Sequence, residues 1–427
     1  MVNNLNSVMR ASSPDLPGVV QPSVQRTRNW INDPSIASRM PVLLCFFYCF
    51  VIFYLKAAAH FAFDIPHVDD KYVRDFIAQA LWLISISLLP SIAIVLLAPV
   101  TKPSRVDNIT KGQTRLIVRV AVGISLIVVA IVVAERGAEA VTDVYGNRLL
   151  VEHGVLAPVT ILMTPFIFAT VVVLALSPGR RTSLPVAILC LIWGVFLAKG
   201  AMLAYPIAIY VFIRFSSRRG FIVFGVASLV IGLALVVLLG RLRQGSNVDA
   251  VFNPDGLRLL LALFLARIDQ LDSFALVLSQ RHLEFSLSLW DEIVKSVLYV
   301  LPRGVYPEKP LSFSIETTKA LRPMVFAGDA ANNFTIFGQA FLIAGSLGPI
   351  ICFLVFQLFF YVMALIQRIA FPTSVGFWTF NLSVTVPCFM SLVGAGLFRE
   401  YVVLQFLFSL PGLIMFGYFF RRAGGKT

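Results

Sequence analysis

Charge is what this sequence lacks. Only 13% of its 427 residues are Asp, Glu, Lys or Arg, about half the share usual in a soluble domain. Histidine is scarce too, with His60, His67, His153 and His282 scattered along the chain. The five cysteines, Cys45, Cys49, Cys190, Cys352 and Cys388, all stand inside apolar runs. That placement excludes a disulfide framework and the ligand spacing of a zinc site. Residues 1–40 hold no apolar stretch that would serve as a cleaved secretion signal. They are polar, rich in Ser, Pro and Asn, and are expected to form a disordered cytoplasmic arm.

What is present is apolar length. Hydrophobic residues make up 58% of the chain, and the mean hydropathy is +0.85. Runs of roughly 20 such residues are long enough to cross a hydrocarbon core as helices, which satisfy their own backbone hydrogen bonds. The pattern predicts an all-α polytopic membrane protein of about ten transmembrane helices. They fall at 41–58, 76–100, 116–134, 156–177, 184–198, 201–214, 221–240, 339–366, 374–396 and 402–420. The chain thus divides into the arm at 1–40, seven spans within 41–240, a large outer loop at 241–338, three spans within 339–420 and a tail at 421–427.

The formal charge of +13 follows the same logic. With a cytoplasmic N-terminus, the inner loops carry Lys102, Arg105, Lys111 and Arg115, then Arg180 and Arg181, then Arg214, Arg218 and Arg219, then Arg368. The tail adds Arg421, Arg422 and Lys426, while loops 61–75 and 135–155 hold Asp64, Asp69, Asp70, Asp75, Glu135, Glu139, Asp143 and Glu152. An excess of Lys and Arg in the inner loops, with outer loops acidic or balanced, obeys the positive-inside bias of membrane proteins. It places both termini in the cytoplasm and the loop 241–338 outside, and it accounts for the charge without nucleic acid.

Within that loop, "LLLALFLARIDQLDSFALVL" is apolar yet holds Arg267, Asp269 and Asp272. It is expected to be an amphipathic or re-entrant helix against the outer face of the bundle. Further on, "LPRGVYPEKP" sets Pro302, Pro307 and Pro310 around Arg303, Glu308 and Lys309. Proline fixes φ and drives the residue before it toward extended geometry, so this is a rigid turn. Asp291 with Lys295 is spaced for an ordinary helical ion pair.

The basic residues at the outer level come from separate parts of the chain: Lys199, Arg241, Arg243, Arg267, Arg303, Lys309 and Arg399. A common anionic target explains their gathering, and a lipid-linked phosphate or pyrophosphate is the one met at a membrane surface. Arginine suits it because its planar fork donates two parallel hydrogen bonds and stays ionised when desolvated. Singly, each also fits a side chain reaching for headgroups.

"LYVLPRGVYPEKP", preceded by "ARIDQLDSF" and followed by "NNFTIFGQAFLIAGSLGP", resembles the O-antigen (oligosaccharide repeat-unit) polymerases of bacterial envelopes. "AKGAMLAYPIAIYVF" resembles that family's basic-Gly turn, with Lys199 where arginine is commoner, and the resemblance covers roughly 190 to 400. It implies a multi-span, lipid-dependent, GT-C-like glycosyltransferase of the bacterial inner membrane. The substrates would be oligosaccharides linked to undecaprenyl pyrophosphate, with membrane lipid around them and a chain-length regulator protein as partner. The family works without a metal or other cofactor, and this sequence has no Asp-x-Asp motif or His–Cys cluster.

On that basis Arg267 and Arg303 are expected to face the pyrophosphate, with Lys309, Arg241 and Arg243 supporting them and Lys199 and Arg399 as further binding candidates. Asp269 and Glu308 are the candidate bases, or else the ion-pair partners of those arginines. Trp290, Tyr299 and Tyr306 either stack on sugar rings or anchor at the interface, and Asn332 and Asn333 either contact sugar hydroxyls or cap the next span. Two neighbouring activities share the architecture. An O-antigen ligase would present a motif histidine in the loop, where only His282 stands. A flippase for lipid-linked sugars would show related halves and charges within the bundle.

Overall fold

The computed structural model describes residues 39–62, 70–97, 109–143, 146–147, 150, 156–177, 182–197, 200–214, 270–279, 288–299, 313–321, 334–395 and 400–424. Every regular element among them is a helix. The first span is α1 (Met40–Cys49), a π-helical segment (Phe50–Leu55) and α2 (Lys56–Ala62) in one run. Then come α3 (Asp70–Leu97), α4 (Lys111–Arg136), α5 (Glu139–Thr142), α6 (Ala157–Leu176), α7 (Ser183–Cys190) with a second π segment (Leu191–Phe196), and α8 (Gly200–Arg214). After the gap stand α9 (Gln270–Ser279), α10 (Leu289–Tyr299) and α11 (Phe313–Leu321). The chain closes with α12 (Ile336–Ala344), α13 (Gly348–Ala370), α14 (Ser374–Phe380), a third π segment (Asn381–Thr385), α15 (Val386–Ala395) and α16 (Glu400–Gly424).

Among the described residues, six helical stretches are long and apolar enough to cross a membrane: Met40–Phe61, Asp75–Ile94, Lys111–Arg136, Pro158–Leu176, Ile336–Ala370 and Ser374–Gly394. The run expected at 221–240 lies outside the described residues.

The stretch Ile336–Ala370 is not one straight rod. Gly345 adopts φ 56°, a left-handed turn that ends α12. Gly348, at the start of α13, lies so close to α12 that a Cβ there would stand 2.8 Å from the Phe341 backbone nitrogen. The chain folds back on itself, and α12 and α13 pack as neighbours. Glycine meets two needs here: a positive φ at Gly345 and a bare backbone at Gly348. The cap of α12 is Thr335, whose hydroxyl accepts from the Gly338 N–H.

The three π segments share a feature. Tyr54 in the first meets Ser85 of α3 at 2.7 Å, and Trp193 in the second donates to the Ser125 hydroxyl of α4 at 2.8 Å. At the third, the Leu382 carbonyl accepts from Tyr205 of α8 at 2.7 Å. A π turn inserts one residue and turns everything after it by about 100° relative to a regular helix. That re-aiming lets polar groups meet across otherwise apolar interfaces.

Contacts between helix ends fix two ends of the bundle. At one, Gln113 of α4 donates to the Phe420 carbonyl of α16, Thr114 meets Ser177 after α6, and Arg214 of α8 donates to the Ser177 carbonyl. Trp378 of α14 joins this end by packing on Phe212 of α8. At the other, Asn147 donates to the Phe196 carbonyl at 3.1 Å. Lys111, Arg115, Arg214 and Arg421 belong to the first end, as their helix positions and these contacts require. Arg136 belongs to the second, where it bridges to Asp143 at 2.7 Å and to Asn147 at 2.9 Å.

Candidate functional site

Lysine in the middle of an apolar run is costly unless it is paired or reaches water. Lys56 does the first. It has no exposed surface, and its Nζ lies 3.0 Å from Oδ2 of Asp272. One turn on, His60 is 6% exposed and places its Nε2 2.6 Å from the other carboxylate oxygen, Oδ1. Since a carboxylate oxygen accepts, the proton at that bond sits on Nε2. Lys56 and His60 come from α2 and the acid from α9, more than 200 residues later.

Their meeting follows from local structure. The π segment ends at Leu55, immediately before Lys56, so the wide turn sets the direction of both Lys56 and His60. Spaced i to i+4, the pair shares one helix face. That face meets α9, which is covered all round. Leu271 and Ser273 to Leu278 are all buried, held against α3, α12 and the first π segment. Phe274 packs on Phe337 and Phe341 of α12 at ring-centroid distances of 6.3 Å, and Phe337 meets Phe53 edge-on at 5.4 Å. The described part of the apolar loop run is therefore a helix buried on every side rather than along one amphipathic face. Burial of Asp272 would raise its carboxyl pKa, but the bond to His60 and the charge of Lys56 outweigh that and lower it. Asp272 is held ionised.

Gln270, at the start of α9, has a buried Oε1 with no hydrogen-bond partner, and its Nε2 borders Gly394 of α15 beside the Tyr48 hydroxyl. A second polar cluster joins two loop helices, α10 and α11, to α12 of the bundle. Glu292 of α10, 3% exposed, accepts from Gln339 of α12 at 2.7 Å and from Lys295 at 3.2 Å. Lys295 also bonds Glu316 of α11 at 2.6 Å. Glu292 and Glu316, not Asp291, are thus the carboxylates seen on Lys295. Burial works against the Lys295 ammonium, yet Glu316 and Glu292 together overcome it and raise its pKa.

The residues singled out from the sequence, Arg267, Arg303, Asp269, Glu308, Lys309, Arg241, Arg243, Lys199, Arg399, Tyr306 and Asn333, all lie outside the described residues. Three of them directly precede described helices: Lys199 before α8, Asp269 before α9 and Arg399 before α16. The far ends of α8 and α16 lie together at Ser177 and Gln113, so both helices begin at the opposite end of the bundle. Asp272 of α9 meets the first span at Lys56 and His60, within that span's last two turns. Among the described residues no group of three His, Cys, Asp or Glu is placed to hold a metal ion. The cluster of Lys56, His60 and Asp272 escaped sequence inspection, although an i, i+4 Lys–His pair inside an apolar run is the signal that an acid must come to meet it.

A scan against models of protein families gave no match to this chain, and neither did comparison with curated proteins or with solved structures.

Proposed function

We propose that the chain is a polysaccharide polymerase of the bacterial inner membrane. It would transfer a growing glycan from undecaprenyl pyrophosphate to a second lipid-linked repeat unit at the outer face. In this proposal it is a GT-C-like protein of about ten spans with both termini in the cytoplasm. The observation that carries the reading is the common level of two helix starts. The helices following Lys199 and Arg399 begin at the end opposite that of Lys111, Arg115, Arg214 and Arg421. The family resemblance of the segments around 190 to 400 supports the same reading.

The chemistry asked of the site is simple to state. An acceptor hydroxyl attacks the anomeric carbon, the bond from that carbon to the pyrophosphate oxygen breaks, and the electron pair leaves with undecaprenyl pyrophosphate. Cations fixed in advance lower the energy of the charge that develops there. Arg267 and Arg303 are assigned to that role, supported by Lys309, Arg241, Arg243, Lys199 and Arg399. The hydroxyl proton passes to Asp269 or Glu308, and Tyr306 and Asn333 contact the glycan. The assignment treats these cations as sufficient without a metal or other cofactor.

The test is deletion of the gene followed by gel separation of the surface glycan. Products capped at a single repeat support the polymerase. Polymer left on its lipid carrier would instead identify a ligase, and absence of any surface product a flippase.

A further inference from the structure

We propose that Lys56 and His60 are positioning residues for the transfer reaction, acting through Asp272 to fix the register of α9. The inference rests on the polymerase reading above. Two other roles for the cluster fit the geometry less well. Asp272 is poorly suited to accept a proton from substrate, because its two oxygens already face Lys56 Nζ at 3.0 Å and His60 Nε2 at 2.6 Å. Lys56 is poorly suited to grip a phosphate, because it has no exposed surface and its counter-ion is already in place.

Nor does α9 require an ion pair to stay buried. Phe274, Ala275, Leu276, Val277 and Leu278 bury an apolar surface against α3 and α12. Apolar side chains in place of a buried ion pair are often neutral or stabilising, whereas loss of one partner is severe. What the pair adds is a choice of register. A slide of α9 by one turn, about 5.4 Å, would still bury leucine, valine and phenylalanine. It would also leave Lys56 and Asp272 each without its partner. Only one register satisfies both, and it fixes the point from which the chain runs back to Arg267, five residues before Asp272. Small displacements of a reacting group matter greatly: a shift of 1 Å lowers rate by about 10²-fold.

The experiment uses the full-length chain in vesicles with lipid-linked repeat units as substrate. Lys56→Met with His60→Phe and Asp272→Leu removes the three buried polar groups together, so that none loses its partner. Register is read without reference to activity, by an oxidative cross-link between cysteines placed at Val277 and Gly338. These face each other, with an added Cβ at Gly338 lying 3.7 Å from Val277 Cγ2. Copper phenanthroline is the oxidant, and a change in proteolytic fragments reports the bond. In the otherwise unchanged chain the cysteines should cross-link. In the apolar triple variant the melting temperature should hold, while cross-linking slows at least tenfold and transfer at saturating substrate falls about 10²-fold. Exchange of the charges, Lys56→Asp with Asp272→Lys, should restore part of both. Equal cross-linking with and without the charged pair overturns the inference, as does full transfer by the apolar variant. A chain that cross-links as expected yet makes no polymer overturns the polymerase reading and leaves the register assignment standing.

Discussion

Gln339 donates through Nε2 to an oxygen of Glu292 at 2.7 Å, and both groups are buried. The bond joins α12, which belongs to an apolar stretch, to α10 in the loop region, 47 residues earlier. A carboxylate in such a place is tolerable only while its oxygens are occupied. Gln339→Leu removes the donor and leaves the acid in place, so it should cost about 1–3 kcal/mol. Unfolding in denaturant, compared with the wild type in the same detergent, measures the loss. Glu292→Gln with Gln339→Leu, which removes the buried charge as well, should recover part of it.

Lys295 gives the same cluster a pH dependence. Its pKa is raised above the ordinary 10.5 by Glu316 and Glu292, in spite of burial. A raised folded value means the contribution is whole below the unfolded pKa and is lost as pH climbs through the folded one. The melting-temperature difference between wild type and Lys295→Met should therefore stay constant from neutral pH to about pH 10. It should then shrink at pH values above 10.5. A difference that fades in mildly acidic buffer would contradict the pairing.

Gly348→Ala tests the fold-back between α12 and α13. The added Cβ would lie 2.8 Å from the Phe341 nitrogen and 2.9 Å from the Ala340 carbonyl carbon, both backbone atoms that cannot rotate aside. Forced overpacking of this kind costs about 1–3 kcal/mol. Gly417→Ala, on α16 with nothing within 4 Å of the new atom, should leave stability near that of wild type. Thermal unfolding of the two variants side by side separates the effects.

Most of the long helices were legible because a membrane span needs only length and apolarity. The expected 116–134 and 374–396 correspond to Lys111–Arg136 and Ser374–Gly394. What hydropathy averages over was not legible. The span expected at 339–366 is broken at Gly345, because a glycine turn between two apolar helices leaves the mean unchanged. The π segment at Phe50–Leu55 shifts the helical phase, so a regular wheel misplaces Lys56 and His60. Lys295 finds Glu316 across a gap of 21 residues, and Asp272 finds His60 across 212. Local spacing has no access to such pairs. Thr335 caps α12, whereas Asn332 and Asn333, the caps expected from the sequence, lie outside the described residues.

Sidedness can be tested without reference to chemistry. Gly137 and Ser177 lie at opposite ends of the bundle, the first beside Arg136 and Asp143, the second against Thr114 and Arg214. A reporter fused after Gly137 should read as outside, and one after Ser177 as cytoplasmic, if the cationic end faces inward. A fusion after Ser246 should again read as outside. A cytoplasmic signal from Ser246 would invert the assignment of Arg303 and with it the proposed site.

Arg303→Ala is the sharpest test of the transfer chemistry. If this guanidinium stabilises the departing pyrophosphate, its loss should lower the rate by about 10²–10³, by analogy with removal of a single oxyanion donor. Arg303→Lys keeps a charge but not the planar fork, and should fall between the two. The effect should appear in turnover at saturating substrate, since charge on the leaving oxygen grows only as the bond breaks. Amount of protein in the membrane, measured by blot, should not change, because one loop residue does not govern insertion. Long glycan ladders from cells carrying Arg303→Ala at normal protein levels would remove Arg303 from the reaction. Arg267, Lys309, Arg241, Arg243, Lys199 and Arg399 would then have to account for the leaving group by themselves.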